Sequence, residues 1–244
     1  MECEKYIYFL GFLKQDGHIS FSTRNRGQLV IEISARDSDI LYKMKDLDKG
    51  YLKERIRDTN FKSNYKSKSL SFYQKDFRDK VTKDIKSEKY ENNTIFMRGE
   101  FDADGSCGFL SGNGNPPFMS LVLTNDKDYY KWKNFIECNT DRIVNVNPNN
   151  RDNVRNVIVK NEDAQKILSL LYKDSNIHLD RKFEIYSKII NWQRPDSLKK
   201  APLRKRWNKE EDDYILKNTI TQSMKTLNRT EKSIKTRLSR IKTS

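Results

Sequence analysis

Two stretches of this chain end in the same way, Asp16-Gly17 and, 88 residues later, Asp104-Gly105. Tyr6 to Leu13 and Thr94 to Phe101 lead into them through aromatic and aliphatic positions, with Gly11 and Gly99 at matching points. Such a run reads as a helix stopped by a glycine, which takes the left-handed conformation without a Cβ penalty. A glycine inside a helix costs about 1 kcal/mol relative to alanine, so it is retained where the helix must approach another backbone closely. If the two copies cross at Gly11 and Gly99, their ends emerge side by side and Asp16 faces Asp104. Carboxylates that close stay ionised only around a cation. With 2 histidines and 3 scattered cysteines in the chain, oxygen donors dominate, which suits Mg²⁺ better than Zn²⁺. One Asp-Gly after a helix is an ordinary turn; two at matching points of a repeat are a candidate site.

The elements that must position these carboxylates are also duplicated. After each copy come two alternating runs, His18 to Ser22 and Gln28 to Ser34, then Ser106 to Leu110 and Phe118 to Leu123. Period-two alternation predicts strands, and turn-forming residues separate the two runs of each half. Helices follow over Asp37 to Leu47 and Asp126 to Glu137. Further strands are expected at Tyr51 to Arg57, Leu70 to Gln74, Ile143 to Asn147 and Val154 to Lys160. Helices over Asp76 to Ile85, Glu162 to Tyr172 and Asp180 to Trp192 close the halves. The expected fold is α+β: two αββαββα units related by pseudo-twofold symmetry, residues 1–90 and 91–192.

Phe96-Met97-Arg98-Gly99-Glu100-Phe101-Asp102-Ala103-Asp104-Gly105-Ser106 resembles the signature of the LAGLIDADG homing endonucleases. Phe9-Leu10-Gly11-Phe12-Leu13-Lys14-Gln15-Asp16-Gly17 is a weaker first copy, and the resemblance extends from Glu4 to Trp192. It implies a single-chain, monomeric enzyme that lays its sheets in the major groove of a long, pseudo-palindromic DNA site. Both strands would be cut across the minor groove, leaving short 3′ overhangs. The resemblance makes Asp16 and Asp104 the ligands of catalytic Mg²⁺, with Mn²⁺ or Ca²⁺ able to replace it for binding. The backbone carbonyls of Gln15 and Ala103 would be secondary contacts. It also places a basic residue near the scissile phosphate in each half: Lys182 in the second and, by position, Lys86 in the first. Lys14, Gln15 and Glu100 depart from the family pattern.

Strand alternation sends one face to the core and the other outward. Outward candidates for DNA contact are His18, Ser20, Ser22, Gln28 and Glu32, with Arg24 and Arg26 in the turn, then Ser106, Ser111, Asn113, Asn115 and Ser120. Arg and Lys read guanine, and Asn and Gln adenine, in the major groove. Beyond the halves, residues 193–205 hold two prolines and a run of basic residues, an extended linker suited to tracking phosphates. Arg204, Lys205 and Arg206 end that run. Residues 206–244 then read as three short helices resembling a Myb/SANT-like helix-turn-helix, whose third helix enters the major groove. On it, Lys232, Lys235, Thr236, Arg237 and Arg240 are the expected contacts, opposite apolar Ile234, Leu238 and Ile241.

Net charge supports a polyanionic partner. The chain of 244 residues carries +14 at pH 7, and most of that excess falls after residue 193. Aromatics at 11% argue against wholesale disorder. No window approaches the roughly 18 uncharged apolar residues that a membrane helix requires, and the charged N-terminus is unlike a signal peptide. The three cysteines fit a reducing compartment, so a cytoplasmic, nucleoid-associated location in a bacterial or phage-infected host, or an organelle, is expected, and secretion is not. A LAGLIDADG-type RNA maturase and a non-cleaving DNA-binding regulator are the rival readings; the two intact aspartates favour cleavage over both.

Overall fold

Tyr6 to Leu13 are buried on every side of α1 (Glu4–Asp16), as only an interior helix can be. The computed structural model describes residues 3–21, 27–58, 63–112, 114–140, 142–144, 148–149, 154–196, 198 and 207–242. From α1 the chain runs through β1 (Gly17–Ser20), β2 (Gln28–Ser34), α2 (Asp39–Met44), β3 (Tyr51–Arg57), β4 (Tyr65–Phe72) and α3 (Lys75–Lys86). The second half repeats the order with α4 (Thr94–Asp104), β5 (Ser106–Phe109), β6 (Pro117–Leu123), α5 (Asp126–Asn139), β7 (Pro148–Asn149), β8 (Val154–Lys160) and α6 (Glu162–Tyr172), and adds α7 (Asp180–Ile189). Both sheets are antiparallel and share one topology, β1-β2-β4-β3 and β5-β6-β8-β7. The duplication is thus carried in the strand order as well as in the helices.

Each half has its own core. Phe9, Phe12, Leu29, Ile31, Leu41, Leu70 and Phe72 lie in the first; Phe101, Met119, Leu121, Trp132, Val157, Leu168 and Tyr172 lie in the second. Burying a side chain of this size contributes about 1.5–3 kcal/mol. In each sheet alternate residues, such as Leu29 and Ile31 or Met119 and Leu121, face the helices and leave their neighbours on the outer face.

Several boundaries differ from the sequence expectation. The helix expected over Asp37 to Leu47 is α-helical only at α2, with 3-10 turns at Ala35–Asp37 and Lys45–Leu47. Ser38 precedes α2 without a side-chain capping hydrogen bond, and the Asp37 carboxylate is taken by Arg181 at 2.7 and 3.1 Å. β4 begins at Tyr65 rather than Leu70, because a strand held on both sides by β2 and β3 tolerates the serine-rich stretch Lys66 to Ser69. The strand expected over Ile143 to Asn147 is absent from its described residues, 143–144; Val144 instead packs in the second core, and a short β7 pairs with β8 at Pro148–Asn149. α7 stops at Ile189 rather than Trp192, where Gln165 Nε2 donates to the carbonyls of Ile189 and Trp192 at 2.8 and 2.7 Å.

The chain divides into two compact units, Met1–Ala201 and Pro202–Ser244. Within the second lie α8 (Lys209–Lys217), α9 (Ile220–Leu227) and α10 (Glu231–Lys242). Asn208 and Glu211 form a reciprocal capping box at α8, and Thr219 with Gln222 does the same at α9. Asn228, in the left-handed conformation, ends α9. Among the described residues of this unit, Ile215 and Ile234 are the buried apolar side chains, a small core. Glu211 is buried beneath Arg229, whose guanidinium is 3.9 Å from the Trp207 ring centroid.

Candidate active site

The helix pair is built around its glycines. A Cβ on Gly11 would stand 2.0 Å from the Phe96 carbonyl oxygen, and one on Gly99 would stand 2.2 Å from that of Tyr8. Tyr8 and Phe96 are equivalent in the repeat, so each helix presents its glycine to the same point on the other, as twofold-related surfaces do. α1 and α4 therefore touch backbone to backbone and end on the same side, each at an aspartate.

Asp16 and Asp104 close the two helices and are exposed to solvent. The surrounding chain crowds Asp16 enough for desolvation, and then the charge of Asp104, to push its pKa up to about 6. Lys182 pulls in the opposite direction. The carbonyls of Gln15 and Ala103 stand beside these aspartates, where the chain leaves each helix for β1 and β5, and so lack intrahelical donors. Oxygen donors alone and a repelling carboxylate pair fit a hard divalent cation. Among the described residues no group of three or more His, Cys, Asp or Glu is arranged to hold a metal ion. Asp16, Asp104 and those two carbonyls are the groups that could hold one.

Lys182 is buried at the start of α7. Its ammonium donates to the carbonyls of Phe101 and Asp102 at 2.6 and 2.8 Å, holding the last turn of α4 in which Asp104 sits. Burial lowers its pKa. Lys86 is not brought to the pair. It is exposed at the far end of α3, two residues beyond Asp84, which accepts from the Tyr6 hydroxyl at 2.7 Å. Tyr6 lies ten residues up α1 from Asp16, about 15 Å at helical rise.

Sequence reasoning missed Asp102. Its buried carboxylate accepts from the Tyr8 hydroxyl at 2.7 Å, the Leu179 amide at 2.9 Å and the Tyr172 hydroxyl. It ties α1, α6 and the entry to α7 to the turn that carries Asp104. The acidic second residue of Asp102-Ala103-Asp104 was the available signal. Lys14, Gln15 and Glu100 do not prevent close packing: Gln15 is half-buried at the edge, and Lys14 reaches across to Asp128, Glu91 and Glu100 at 2.6, 3.0 and 3.3 Å. Glu100 in turn accepts from Lys131 at 2.5 Å.

His18, Ser20 and Gln28 share the outer face of the first sheet with Glu32, and Ser106 lies opposite Ser120 on that of the second. Ser111 and Asn115 are exposed in the turn between β5 and β6. Ser22, Arg24, Arg26, Asn113, Arg204, Lys205 and Arg206 lie outside the described residues. The pairing adds Lys53, Arg55 and Ser69 to the first face, in one row with Glu32 or beside it; alternation through Tyr51, Lys53 and Arg55 was the signal. In the C-terminal unit, Lys232, Thr236, Arg237 and Arg240 line a hollow of about 480 Å³ with Trp207. Arg237 is held by Asp212 at 2.5 and 2.7 Å, and Lys235 pairs with Glu231 at 2.6 Å, so neither is as available as its position on α10 implied.

No family model and no curated protein matches the chain. Solved structures do. The homing endonuclease I-DmoI, in complex with DNA and Ca, is 12% identical over 76% of this chain and 97% of its own, with a TM-score of 0.52. A point mutant of I-SmaMI is 10% identical over 77% of this chain and 89% of its own, at 0.50. Full-length DUF199/WhiA from Thermatoga maritima is 12% identical over 98% of this chain and 89% of its own, at 0.48. The duplicated halves, their glycine-packed helices and their paired sheets make this the α+β LAGLIDADG fold.

Proposed function

We propose that the chain is a site-specific DNA endonuclease that acts as a monomer on a long, pseudo-palindromic duplex. Its sheets would occupy the major groove on either side of the cut, and both strands would be hydrolysed across the minor groove to leave short 3′ overhangs. The observation that carries this reading is the backbone-to-backbone packing of α1 and α4 at Gly11 and Gly99, two helices that each end at an aspartate, Asp16 and Asp104. Carboxylates arranged to repel are unfavourable unless positive charge joins them.

Asp16 and Asp104 would hold Mg²⁺ together with the carbonyls of Gln15 and Ala103. A divalent ion there supplies a water activated for attack on phosphorus and charge stabilisation of the leaving 3′ oxygen. Lys182 acts from behind, fixing the last turn of α4 through the Phe101 and Asp102 carbonyls and adding positive potential beside Asp16. Asp102, with Tyr8 and Tyr172, holds the same turn from the other side. The outer sheet faces read bases, and the C-terminal unit, read as a Myb-like helix-turn-helix, extends the footprint through exposed Lys232, Thr236 and Arg240.

The test is incubation of the purified chain and its Asp104→Asn variant with a duplex library and Mg²⁺. The expected outcome is cutting by the parent and its loss in the variant, with DNA binding largely retained, because the ion that activates the water loses a ligand while the DNA-contacting faces are untouched. Cutting by the variant overturns the mechanism. Duplex binding without cutting by the parent identifies a regulator, and retention of intron RNA without duplex affinity identifies a maturase.

A further inference from the structure

The two sheets are built alike, yet their outer faces are chemically unlike. In the first, His18 stands opposite Val30 and Ser20 opposite Gln28; in the second, Ser106 stands opposite Ser120 and Gly108 opposite Phe118. That shared register makes Gln28 equivalent to Phe118 and Glu32 to Val122. Carried across to the next strand, Ser71 opposite Val30 becomes Ile158 opposite Ser120, and Ser69 opposite Glu32 becomes Asn156 opposite Val122. Three polar positions of the first face, Gln28, Glu32 and the buried Ser71, are therefore apolar in the second.

These replacements form one patch. Ile158 is diagonal to both Phe118 and Val122 across the β6–β8 pair, near enough for side-chain contact. Val122 and Ile158 are 46% and 40% exposed, while the Phe118 ring lies over Gly108. Ser106, Ser120, Asn156 and Lys160 surround the patch on the same face. On the first sheet those three positions are polar, around Val30, which stands where the second sheet has Ser120: Glu32 accepts from Ser67 at 2.7 Å and pairs with Arg55 at 3.3 Å.

We propose that Val122 and Ile158 recognise thymine 5-methyl groups in the major groove, so that the half-site read by the second sheet is selected by methyl contact and the other half-site by hydrogen bonds. The inference rests on the DNA-binding reading above. A DNA occupant follows from three features. The face begins at Ser106, two residues after Asp104; the chain carries +14 overall; and the patch is two exposed aliphatic side chains within a polar and basic rim, which matches isolated methyls on a polar groove floor. The thymine methyl is the one apolar group displayed there, and RNA lacks it.

The test begins with the duplex that the full chain selects from a randomised library. Every thymine in one half, then in the other, is replaced by deoxyuridine, which removes only the methyl. Affinity is measured for the parent chain and for Val122→Ser/Ile158→Ser. Both side chains are exposed, and circular dichroism checks that the variant is folded. Deoxyuridine in one half is expected to weaken binding about fourfold per contacted methyl, roughly the transfer free energy of one buried carbon. Deoxyuridine in the other half leaves affinity unchanged, and the double variant no longer distinguishes the two bases. Equal affinity for thymine and deoxyuridine duplexes overturns the proposal while leaving DNA binding intact. So does an equal loss in both halves, a loss that persists in the double variant, or a dimer in the parent that the double variant dissolves. If the library yields no bound duplex, the DNA-binding reading itself fails and this inference falls with it.

Discussion

Lys14 of α1 and Glu100 of α4 stand 3.3 Å apart across the helix pair, with Glu100 wholly buried and Lys14 mostly so. Each departs from the repeat pattern alone, and together they compensate. Asp128, Glu91 and Lys131 complete the cluster. Desolvation pushes the Glu100 carboxyl up, against the pull of Lys131 and Lys14.

Removing one partner leaves the remaining carboxylates short of positive charge in a poorly hydrated place. Lys14→Met is expected to destabilise the chain by about 3 kcal/mol. Lys14→Met/Glu100→Leu should lose clearly less than the two single losses combined, because each removes the other's unpaired charge. Urea denaturation followed by the fluorescence of buried Trp132 measures this; strict additivity would show the pair to be uncoupled.

Gly99→Ala is expected to cost about 3 kcal/mol, the upper end for overpacking, because its Cβ would meet the Tyr8 carbonyl at 2.2 Å and backbone cannot rotate away. The helices must part, carrying Asp104 from Asp16. Melting temperature and Mg²⁺-dependent cutting should both fall. A variant as stable and active as the parent would mean that the close approach is dispensable.

Asp37 links the first half to Arg181 at the start of α7. Burial alone would push its carboxyl up, but hydrogen bonds and charge from Arg181, then Arg36, outweigh this and hold it below the usual aspartate range. A depressed folded pKa contributes stability that is present above the unfolded value, near 3.9, and lost as pH falls through the folded one. Asp37→Asn should therefore lower the melting temperature at pH 7 and shrink that deficit below about pH 4. A deficit of the same size at pH 3 and pH 7 would exclude an electrostatic origin.

Removing Pro202–Ser244, the second compact unit, removes half of the chain's net positive charge. Affinity for the selected duplex should fall and its dependence on salt should flatten, by about 0.9 in log–log slope for each phosphate that the unit neutralises. Titrations at several salt concentrations decide it; an unchanged slope would mean that the unit touches no phosphate.

The local signals in the chain were strong wherever chemistry and geometry coincide along a single element. Gly11 and Gly99 and the strand alternation after the Asp-Gly ends follow from close packing or period, so the duplicated halves were legible; Gly17 and Gly105 themselves are extended, with φ of −94° and −79°, rather than left-handed, because the chain passes straight from each helix into β1 and β5. Helix ends and the serine-rich β4 were less so, because partners distant in sequence settle them: Arg181 takes the carboxylate of Asp37, and β2 and β3 hold Ser67 to Ser71 in place. Tertiary structure alone decided which charges are available. It set Lys182 on the carbonyls of α4, left Lys86 exposed at the end of α3, two residues beyond the Asp84 that binds Tyr6, and gathered Tyr8, Tyr172 and Leu179 around Asp102. The physical reason is range. Propensity and periodicity act over a few residues, whereas desolvation and ion pairing depend on whatever packs alongside, here from segments about 70 residues away or more.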